Sequence, residues 1–237
     1  RTGWDYNHVA TINPNCRYHF CNESLRDPFY EAPPWSLAEK RDYSIFLSQA
    51  LYPLKGLHKV LEAVRILKPS FPTVRIRVAG PDITGVRSWK DNLRLTGYGK
   101  LIKKRVKEYG LDEHITFTGP LDAAQMISEY RNAHVFICPS SIENSPNSLG
   151  EAQLLGVPSI ASYVGGVPDM VVNGESGLLY RFEEVEVLAG HIRQIFENDT
   201  LALRLSRGGQ IAAKTRHNRE ANTARTLEIY KEILAIS

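Results

Sequence analysis

Two glutamates separated by seven residues carry the chemistry that the sequence shows most clearly. The segment reads Glu143-NSPNSLG-Glu151. Ser145 followed by Pro146 predicts the start of a helix, with Ser145 as the N-cap and proline at the first helical position, where its missing N–H costs nothing. The next three backbone amides are then free: Asn147, Ser148 and Leu149. Free amides at the positive end of a helix dipole form a site suited to a phosphate.

The charges around this predicted helix start narrow the kind of ligand. Carboxylates repel a phosphate, so Glu143 and Glu151 suit hydroxyl groups on either side of it, as in a sugar and a ribose. Lys55 lies between the end of a predicted strand and a predicted helix, where it can reach the same crevice and supply positive charge. The alternative is that the two acids are surface residues favoured by the helix dipole, and that Lys55 is simply solvated.

The elements that must position these residues form an alternating pattern. Short β-branched or aromatic runs alternate with helical patterns from residue 43 to about residue 181, which predicts βαβ units and a parallel sheet. Strands are predicted at 43–49, 74–80, 114–119, 134–140, 158–162 and 178–181, and helices at 57–68, 100–109, 122–132 and 147–156. Ligands of doubly wound sheets bind beyond the carboxyl ends of the strands. Lys55 and Glu143 both follow a predicted strand, so we expect them to meet there.

Three glycine-containing turns also follow predicted strands: Gly80-Pro81, Gly119-Pro120 and Gly165-Gly166. Glycine allows the backbone to approach a ligand closely. Each of these pairs is equally well explained as a simple turn.

The remaining segments are less regular. Residues 1–37 contain a predicted strand at 16–22, a short predicted helix at 24–30 and a Pro-rich stretch at 31–36 that is typical of a linker, which places a domain boundary near 31–41. Residues 82–99 are expected to form a long surface excursion. The last helical pattern puts four apolar residues on one stripe, which we expect to pack on a neighbouring surface: Ala224, Leu227, Tyr230 and Leu234.

Composition and missing motifs exclude several classes of function. Among 237 residues, 29 Lys and Arg against 26 Asp and Glu leave a formal charge of +3, so no strong positive field indicates a nucleic-acid partner. Three cysteines without a CxxC motif argue against a disulfide framework and a structural zinc site. No apolar stretch approaches the roughly 18 residues of a membrane span. The sequence lacks GxGxxG after the first strand, GxxxxGK[ST], HExxH, GxSxG and the Asp-x-Asp pair that would clamp a metal on a diphosphate.

From about residue 42 to residue 237 the chain resembles the C-terminal, nucleotide-sugar-binding lobe of family 4 retaining glycosyltransferases, which belong to the glycosyl transferases group 1 and have the GT-B fold. The spacing of the two glutamates is the most specific element, and YPLKG, VAGPD, FTGPL and VGGVPD stand around it in the family's order. The resemblance implies an α/β fold with a Rossmann-like parallel sheet flanked by helices, as one lobe of GT-B. It implies a donor-binding domain at 38–237, preceded at 1–37 by the tail of an N-terminal acceptor lobe and a linker.

The resemblance also implies roles for individual residues. Glu143 and Lys55 are the expected catalytic residues: Glu143 contacts the donor hexose, and Lys55 holds the diphosphate together with the amides near Asn147 and Ser148. Glu151 holds the ribose hydroxyls. The remaining donor-binding positions are Gly80 and Leu149, with the backbone around Pro120 and Leu121 lining the base. Family members commonly carry an arginine five residues before the lysine, where this chain has Ala50.

The expected function is therefore metal-independent retaining transfer from a UDP- or GDP-linked sugar, without a cofactor, in polysaccharide, glycan or glycolipid synthesis. The chain begins with Arg1, and we expect a fragment that lacks most of its acceptor lobe and binds donor without turnover. A GT-B sugar-nucleotide epimerase is an alternative, and a Rossmann-type regulator leaves the glutamate pair unexplained. The expected location is cytoplasmic, with peripheral contact at the inner face of the membrane left open and no nucleic-acid partner.

Overall fold

The computed structural model describes residues 1–85 and 96–235, and within this part of the chain six parallel strands form one sheet. The strands are β1 (Ser44–Leu47), β2 (Arg75–Val78), β3 (Ile115–Phe117), β4 (Val135–Cys138), β5 (Ser159–Ser162) and β6 (Leu178–Tyr180). Their order is β3-β2-β1-β4-β5-β6. From β1 the chain adds β2 and β3 on one side of the sheet, and then returns to add β4, β5 and β6 on the other side of β1. This change of side opens a crevice beyond the carboxyl ends of β1 and β4.

The central strands are apolar because both of their faces are covered. Every residue of β1 (SIFL) and β4 (VFIC) is buried, as expected for a parallel sheet with helices on both sides. Ile45 of β1 lies opposite Ile76 on one neighbouring strand and Val135 on the other. All six strands predicted between residues 43 and 181 are present, so the predicted sheet is confirmed.

Helices cover both faces of the sheet. They are α1 (Gly3–Ile12), α2 (Pro28–Glu31), α3 (Leu57–Leu67), α4 (Gly97–Glu108), α5 (Ala123–Asn132), α6 (Asn147–Leu155), α7 (Val185–Glu197), α8 (Asp199–Arg216) and α9 (Arg219–Leu234), with short 3-10 helices at Pro53–Lys55 and Val167–Asp169. Helix α3 packs against α4 and α7, whereas α6 packs against α5, α8 and α2. Right-handed crossovers place α3 and α4 on the face opposite α6, because the chain moves across the sheet in opposite directions on either side of β1. Helix α7 then packs with the first group, whereas α2 and α8 pack with α6.

The prediction of a strand at 16–22 is wrong. These residues form no regular element, and the regular structure in this part of the chain is α1. A strand needs a partner strand for its backbone groups, and this segment lies along α9 instead. The Phe20 carbonyl accepts a hydrogen bond from Nε of Arg225, and Sγ of Cys21 lies 3.4 Å from Oγ1 of Thr226.

The Pro-rich stretch at 31–36 is packed on the domain. Trp35 is buried, its backbone N–H donates to the Leu155 carbonyl at 2.7 Å, and its Nε1 donates to the Ala133 carbonyl at 2.8 Å. Phe29 just before it is also buried in the common core. The domain boundary near residues 31–41 stays a prediction, although the stretch is bonded to the ends of α5 and α6.

Two further expectations concern surface segments. Helix α4 begins at Gly97 with Thr96 as its N-cap, three residues before the helix expected at 100, and residues 86–95 of the expected surface excursion lie outside the described residues. On α9 the expected stripe is not covered within the described residues: Leu227, Tyr230 and Leu234 are 56%, 62% and 72% exposed. Across the same described ranges, no helix combines the length and apolar character required to traverse a bilayer.

Candidate functional site

Lys55 and Glu143 form an ion pair at the crevice between β1 and β4. Nζ of Lys55 donates to Oε1 of Glu143, and Oγ of Ser140 donates to the same oxygen at 2.8 Å. The two charged side chains are only 14% and 15% exposed. Burial alone would lower the pKa of Lys55, but the hydrogen bond and the charge of Glu143 raise it above its ordinary value. The expected meeting of these two residues, 88 positions apart, is therefore found, with a protonated lysine facing a carboxylate.

A tight turn after β1 brings Lys55 to this position. The 3-10 helix Pro53–Lys55 ends at Gly56, which has a φ of +70°. The Leu54 carbonyl accepts a hydrogen bond from the Ser141 N–H at 2.8 Å, so the turn is tied to the segment that follows β4. A Cβ on Gly56 would stand 1.8 Å from the Pro139 carbonyl oxygen. Only glycine therefore allows the two strand ends to come this close.

A second glycine turn holds the backbone of Glu143 from the other side. The Gly166 N–H donates to the Glu143 carbonyl at 3.0 Å. Gly165 has a φ of +51°, and a Cβ there would lie 1.9 Å from the same carbonyl oxygen. The sequence allows two explanations for the Gly165-Gly166 pair, a simple turn or a close approach to a ligand. In the structure the pair forms a turn that packs on the backbone of Glu143.

The predicted helix start is displaced by one residue. Helix α6 begins at Asn147 with Pro146 as its N-cap, so the assignment of Ser145 as N-cap is wrong. Pro146 itself has an extended backbone, with φ −69° and ψ 115°, so the helix starts one residue later than expected. Oγ of Ser145 caps no backbone N–H of the described residues and lies near Sδ of Met170 at 3.8 Å. The Leu149 N–H donates to the Pro146 carbonyl at 3.0 Å. The prediction that the Leu149 amide is free is therefore wrong.

The anion site at the start of α6 therefore consists of fewer amides than predicted. Within the described residues, the backbone N–H groups of Asn147 and Ser148 meet no acceptor. Both sit at the positive end of the α6 dipole, four and five residues beyond Glu143. They remain suited to an anion, next to a lysine and a carboxylate.

Glu151 lies in the second turn of α6 and is paired with a residue that sequence analysis did not identify. Nε of Arg26 donates to Oε1 of Glu151 at 2.7 Å, and the second terminal nitrogen (NH2) of Arg26 donates to Oε2 at 2.9 Å. The glutamate side chain is 5% exposed and that of Arg26 is 46% exposed. The hydrogen bond from Arg26 to Glu151 raises the pKa of the guanidinium above its ordinary value.

The predicted positions after β2 and β3 lie at the same edge of the sheet. The backbones of Gly80 and Gly119 exchange two hydrogen bonds, at 2.9 and 3.0 Å, and both residues have positive φ. A Cβ on either glycine would meet nothing within 4 Å, so the space beside them is open. Pro120 is exposed and Leu121 is half-buried against the core. This edge has room for a ligand beside exposed backbone.

Helix α1 also reaches the loop that carries Glu143. Nδ2 of Asn144 donates to Oδ2 of Asp5 at 3.1 Å, and the Gly3 N–H donates to Oδ2 of Asp169 at 2.5 Å. Burial alone would raise the pKa of Asp5, but hydrogen bonds from Asn144, Tyr18 and other donors hold it well below its usual range. The contact places residues from the start of the chain against the loop between β4 and α6.

The described residues include no group of three or more His, Cys, Asp or Glu side chains that could hold a metal ion. The charged and polar groups placed around the crevice by the described residues include Lys55, Glu143, the Glu151–Arg26 pair and the amides of Asn147 and Ser148. Such a set can bind a compound in which an anionic group is flanked by hydroxyl groups.

Comparison with known proteins identifies the family. The model described as "Glycosyl transferases group 1" matches residues 31–211. D-inositol 3-phosphate glycosyltransferase of Corynebacterium urealyticum is 27% identical over 187 residues, which cover 77% of this chain and 41% of that protein. The putative colanic acid biosynthesis glycosyltransferase WcaL of Salmonella typhimurium is 27% identical over 168 residues, which cover 68% of this chain and 38% of that protein. The chain thus spans about two fifths of the length of these relatives.

Solved structures show the same architecture. Sucrose-phosphate synthase of Thermosynechococcus elongatus matches with a TM-score of 0.80 at 22% identity, over 100% of this chain and 58% of that one. HepE of Anabaena, solved in complex with UDP, matches with a TM-score of 0.75 at 19% identity, over 98% of this chain and 62% of that one. The predicted fold class, an α/β Rossmann-like lobe of the GT-B fold, is confirmed. Because the family model matches residues 31–211, well over half of its length, the chain belongs to the glycosyl transferases group 1 family.

Proposed function

We propose that this chain is the donor-binding lobe of a metal-independent, retaining glycosyltransferase of family 4 that takes a hexose from a UDP- or GDP-linked sugar. The observation that carries the proposal is the Lys55–Glu143 ion pair beside the amides of Asn147 and Ser148, at the carboxyl ends of β1 and β4. Structures of the related Anabaena HepE in complex with UDP and with UDP-glucose support a nucleotide sugar as the ligand.

The electrostatics of the crevice fit a departing diphosphate. Negative charge that develops on the leaving group is stabilised by the ammonium of Lys55 and by the positive end of the α6 dipole. Residue 50, where family members carry an arginine, is a buried alanine here. We therefore assign the positive contact to Lys55, with Glu143 accepting hydrogen bonds from hydroxyl groups of the hexose.

The rest of the proposal concerns the other parts of the ligand and of the protein. Glu151 accepts hydrogen bonds from the ribose, and the backbone around Pro120 and Leu121 lines the base. Residues 1–37 form the tail and linker of an acceptor lobe, and transfer to a polysaccharide, glycan or glycolipid acceptor requires that lobe. The chain alone binds donor without turnover. The protein works in the cytoplasm, with peripheral contact at the inner membrane face if its acceptor is a lipid.

Calorimetric titration tests the proposal. The chain is titrated with UDP, GDP, ADP and the matching sugar nucleotides in the presence of EDTA, and we expect one nucleotide to bind saturably. Glu151→Ala should weaken that binding about tenfold or more, because a hydrogen bond to a charged group contributes about 1.5–3 kcal/mol. Glu129→Ala is the matched control, since Glu129 forms a similar bidentate pair with Arg77 away from the crevice. No binding by any nucleotide, or equal affinity in Glu151→Ala, would contradict the proposal.

A second variant tests the hexose contact. Glu143→Gln removes the charge that neutralises Lys55, so the bare nucleoside diphosphate should bind at least as tightly as it does to the unmodified chain. The sugar nucleotide should lose its advantage over the bare nucleotide, because the hexose loses an acceptor. Equal losses of affinity for both ligands would show that Glu143 does not contact the hexose.

A further inference from the structure

The Arg26–Glu151 pair joins a buried glutamate to a partly exposed arginine from a distant part of the chain. Arg26 lies in the irregular chain just before α2, 125 positions from Glu151, and its guanidinium sits 4.6 Å from the ring centroid of the buried Phe29. The side chain of Glu151 is almost fully buried, while that of Arg26 is nearly half exposed. The outer side of the pair therefore faces solvent, with the carboxylate beneath.

The hydrogen-bonding capacity of the carboxylate is only partly used. An ionised carboxylate has about four acceptor positions, two on each oxygen. Arg26 uses one position on each oxygen, and within the described residues it supplies both hydrogen bonds to this side chain. One acceptor position on each oxygen is left, which matches the two hydroxyl groups of a ribose.

The fork of Arg26 also fixes the plane of the carboxylate. Two parallel N–H···O bonds define both the position and the rotation of the group, whereas a single donor such as lysine leaves the rotation free. The stacking on Phe29 holds the guanidinium in turn. A glutamate side chain has three rotatable bonds, so this restraint decides where the two remaining acceptor positions point.

We propose that Arg26 is a positioning residue for nucleotide binding, which orients the Glu151 carboxylate so that its unused acceptor positions receive the ribose hydroxyls of a nucleoside diphosphate. The inference rests on the proposed function, because it needs Glu151 to contact a ribose. Arg26 itself acts through Glu151 and does not contact the nucleotide.

The test compares ribose and deoxyribose ligands. The unmodified chain, Arg26→Met and Arg26→Lys are titrated with UDP and 2′-deoxy-UDP, or with the guanine pair if the chain binds GDP. We expect the unmodified chain to prefer the ribonucleotide about tenfold or more. Arg26→Met should reduce this preference to about twofold or less, with little change in affinity for the deoxynucleotide, and Arg26→Lys should give an intermediate preference.

Two controls separate positioning from general destabilisation. Arg77→Met breaks the other bidentate arginine–glutamate pair, whose bonds are 2.5 and 2.6 Å, and should leave the ribose preference unchanged. Circular dichroism and thermal unfolding show whether each variant is folded. If Arg26→Met does not fold, Arg26→Lys and Arg26→Gln carry the comparison.

The outcomes are distinguishable. Equal losses of affinity for both nucleotides in the Arg26 variants, or tighter ribonucleotide binding, would overturn the inference and leave the proposed function standing. A folded unmodified chain that binds no nucleotide would overturn the proposed function together with the inference. Binding without any ribose preference would remove Glu151 from the ribose contact, and the role of Arg26 with it.

Discussion

Replacing Gly165 with alanine should displace the backbone of Glu143. Gly165 has a φ of +51°, and the added Cβ would lie 1.9 Å from the Glu143 carbonyl oxygen, where ordinary contacts begin at 3.4 Å. The oxygen belongs to backbone and cannot swing away as the end of a flexible side chain could. The turn and the loop that carries Glu143 must therefore separate by about 1.5 Å, the difference between these two distances.

Two costs contribute to the destabilisation. Alanine in left-handed backbone costs about 1–2 kcal/mol relative to glycine, and a forced shift of packed backbone costs about 1–3 kcal/mol more. We therefore expect Gly165→Ala to lower the free energy of unfolding by about 2–5 kcal/mol. Gly174→Ala is the matched control, because Gly174 has a φ of +82° and a Cβ there would meet nothing within 4 Å. It should lose only the first contribution, about 1–2 kcal/mol.

Urea denaturation followed by circular dichroism measures both free energies, from midpoint and slope. Calorimetry with the nucleotide sugar then shows whether the displacement reaches the site. If the chain binds a nucleotide sugar as proposed, Gly165→Ala should bind it more weakly than the unmodified chain, whereas Gly174→Ala should bind it equally well. Equal destabilisation by the two substitutions would refute the steric argument, because they share the backbone strain and differ only in the contact with Glu143.

Three further predictions concern the core. Burial lowers the pKa of His134 from 6.5 to about 4, so between these pH values the unfolded chain binds a proton that the folded chain does not. The free energy of unfolding should keep the whole contribution of this group above pH 6.5 and lose about 3 kcal/mol as the pH drops to 4. Urea denaturation of His134→Gln should lack this part of the decline. Leu61→Ala removes a fully buried side chain and should cost about 2–5 kcal/mol, whereas Leu227→Ala at an exposed position should change the free energy of unfolding by about 0.5 kcal/mol or less. Burial raises the pKa of Cys138 to about 12, so mass spectrometry after iodoacetamide treatment at pH 8 should show this thiol unmodified until the chain is unfolded.

The sheet and its covering helices could be predicted from sequence because their signals are local. Apolar residues at helical spacing on α3 are buried along one stripe, as the pattern indicates: Leu57, Val60, Leu61, Val64 and Leu67. The central strands are short apolar runs that a covered parallel sheet requires. The start of α6 lies one residue later than predicted because proline is compatible both with the first helical position and with the extended backbone before it, and here Pro146 is extended, with a ψ of 115°.

The meeting of Lys55 and Glu143 could be predicted for a different reason. Each residue follows a strand, and parallel strands end at one edge of a sheet, so chain connectivity alone brings their segments together. The pairing of Glu151 with Arg26 has no comparable signal. Arg26 lies in an irregular segment before the sheet, and neither periodicity nor strand order defines which surface such a segment covers.

Residues 1–37, the largely irregular segment before the sheet, contact both glutamate-bearing parts of the site. A carboxylate as buried as that of Glu151 is costly without a partner, and the partner comes from this segment. The loop next to Glu143 is likewise bonded to it, through Asn144 and Asp5. The two glutamates are therefore held in different ways. Glycine turns after β1 and β5 pack on the backbone around Glu143, whereas the carboxylate of Glu151 accepts two hydrogen bonds from Arg26. If Glu151 binds a ribose as proposed, changes to Arg26 should for this reason affect that contact first, while the ion pair of Lys55 with Glu143 depends on the strand ends.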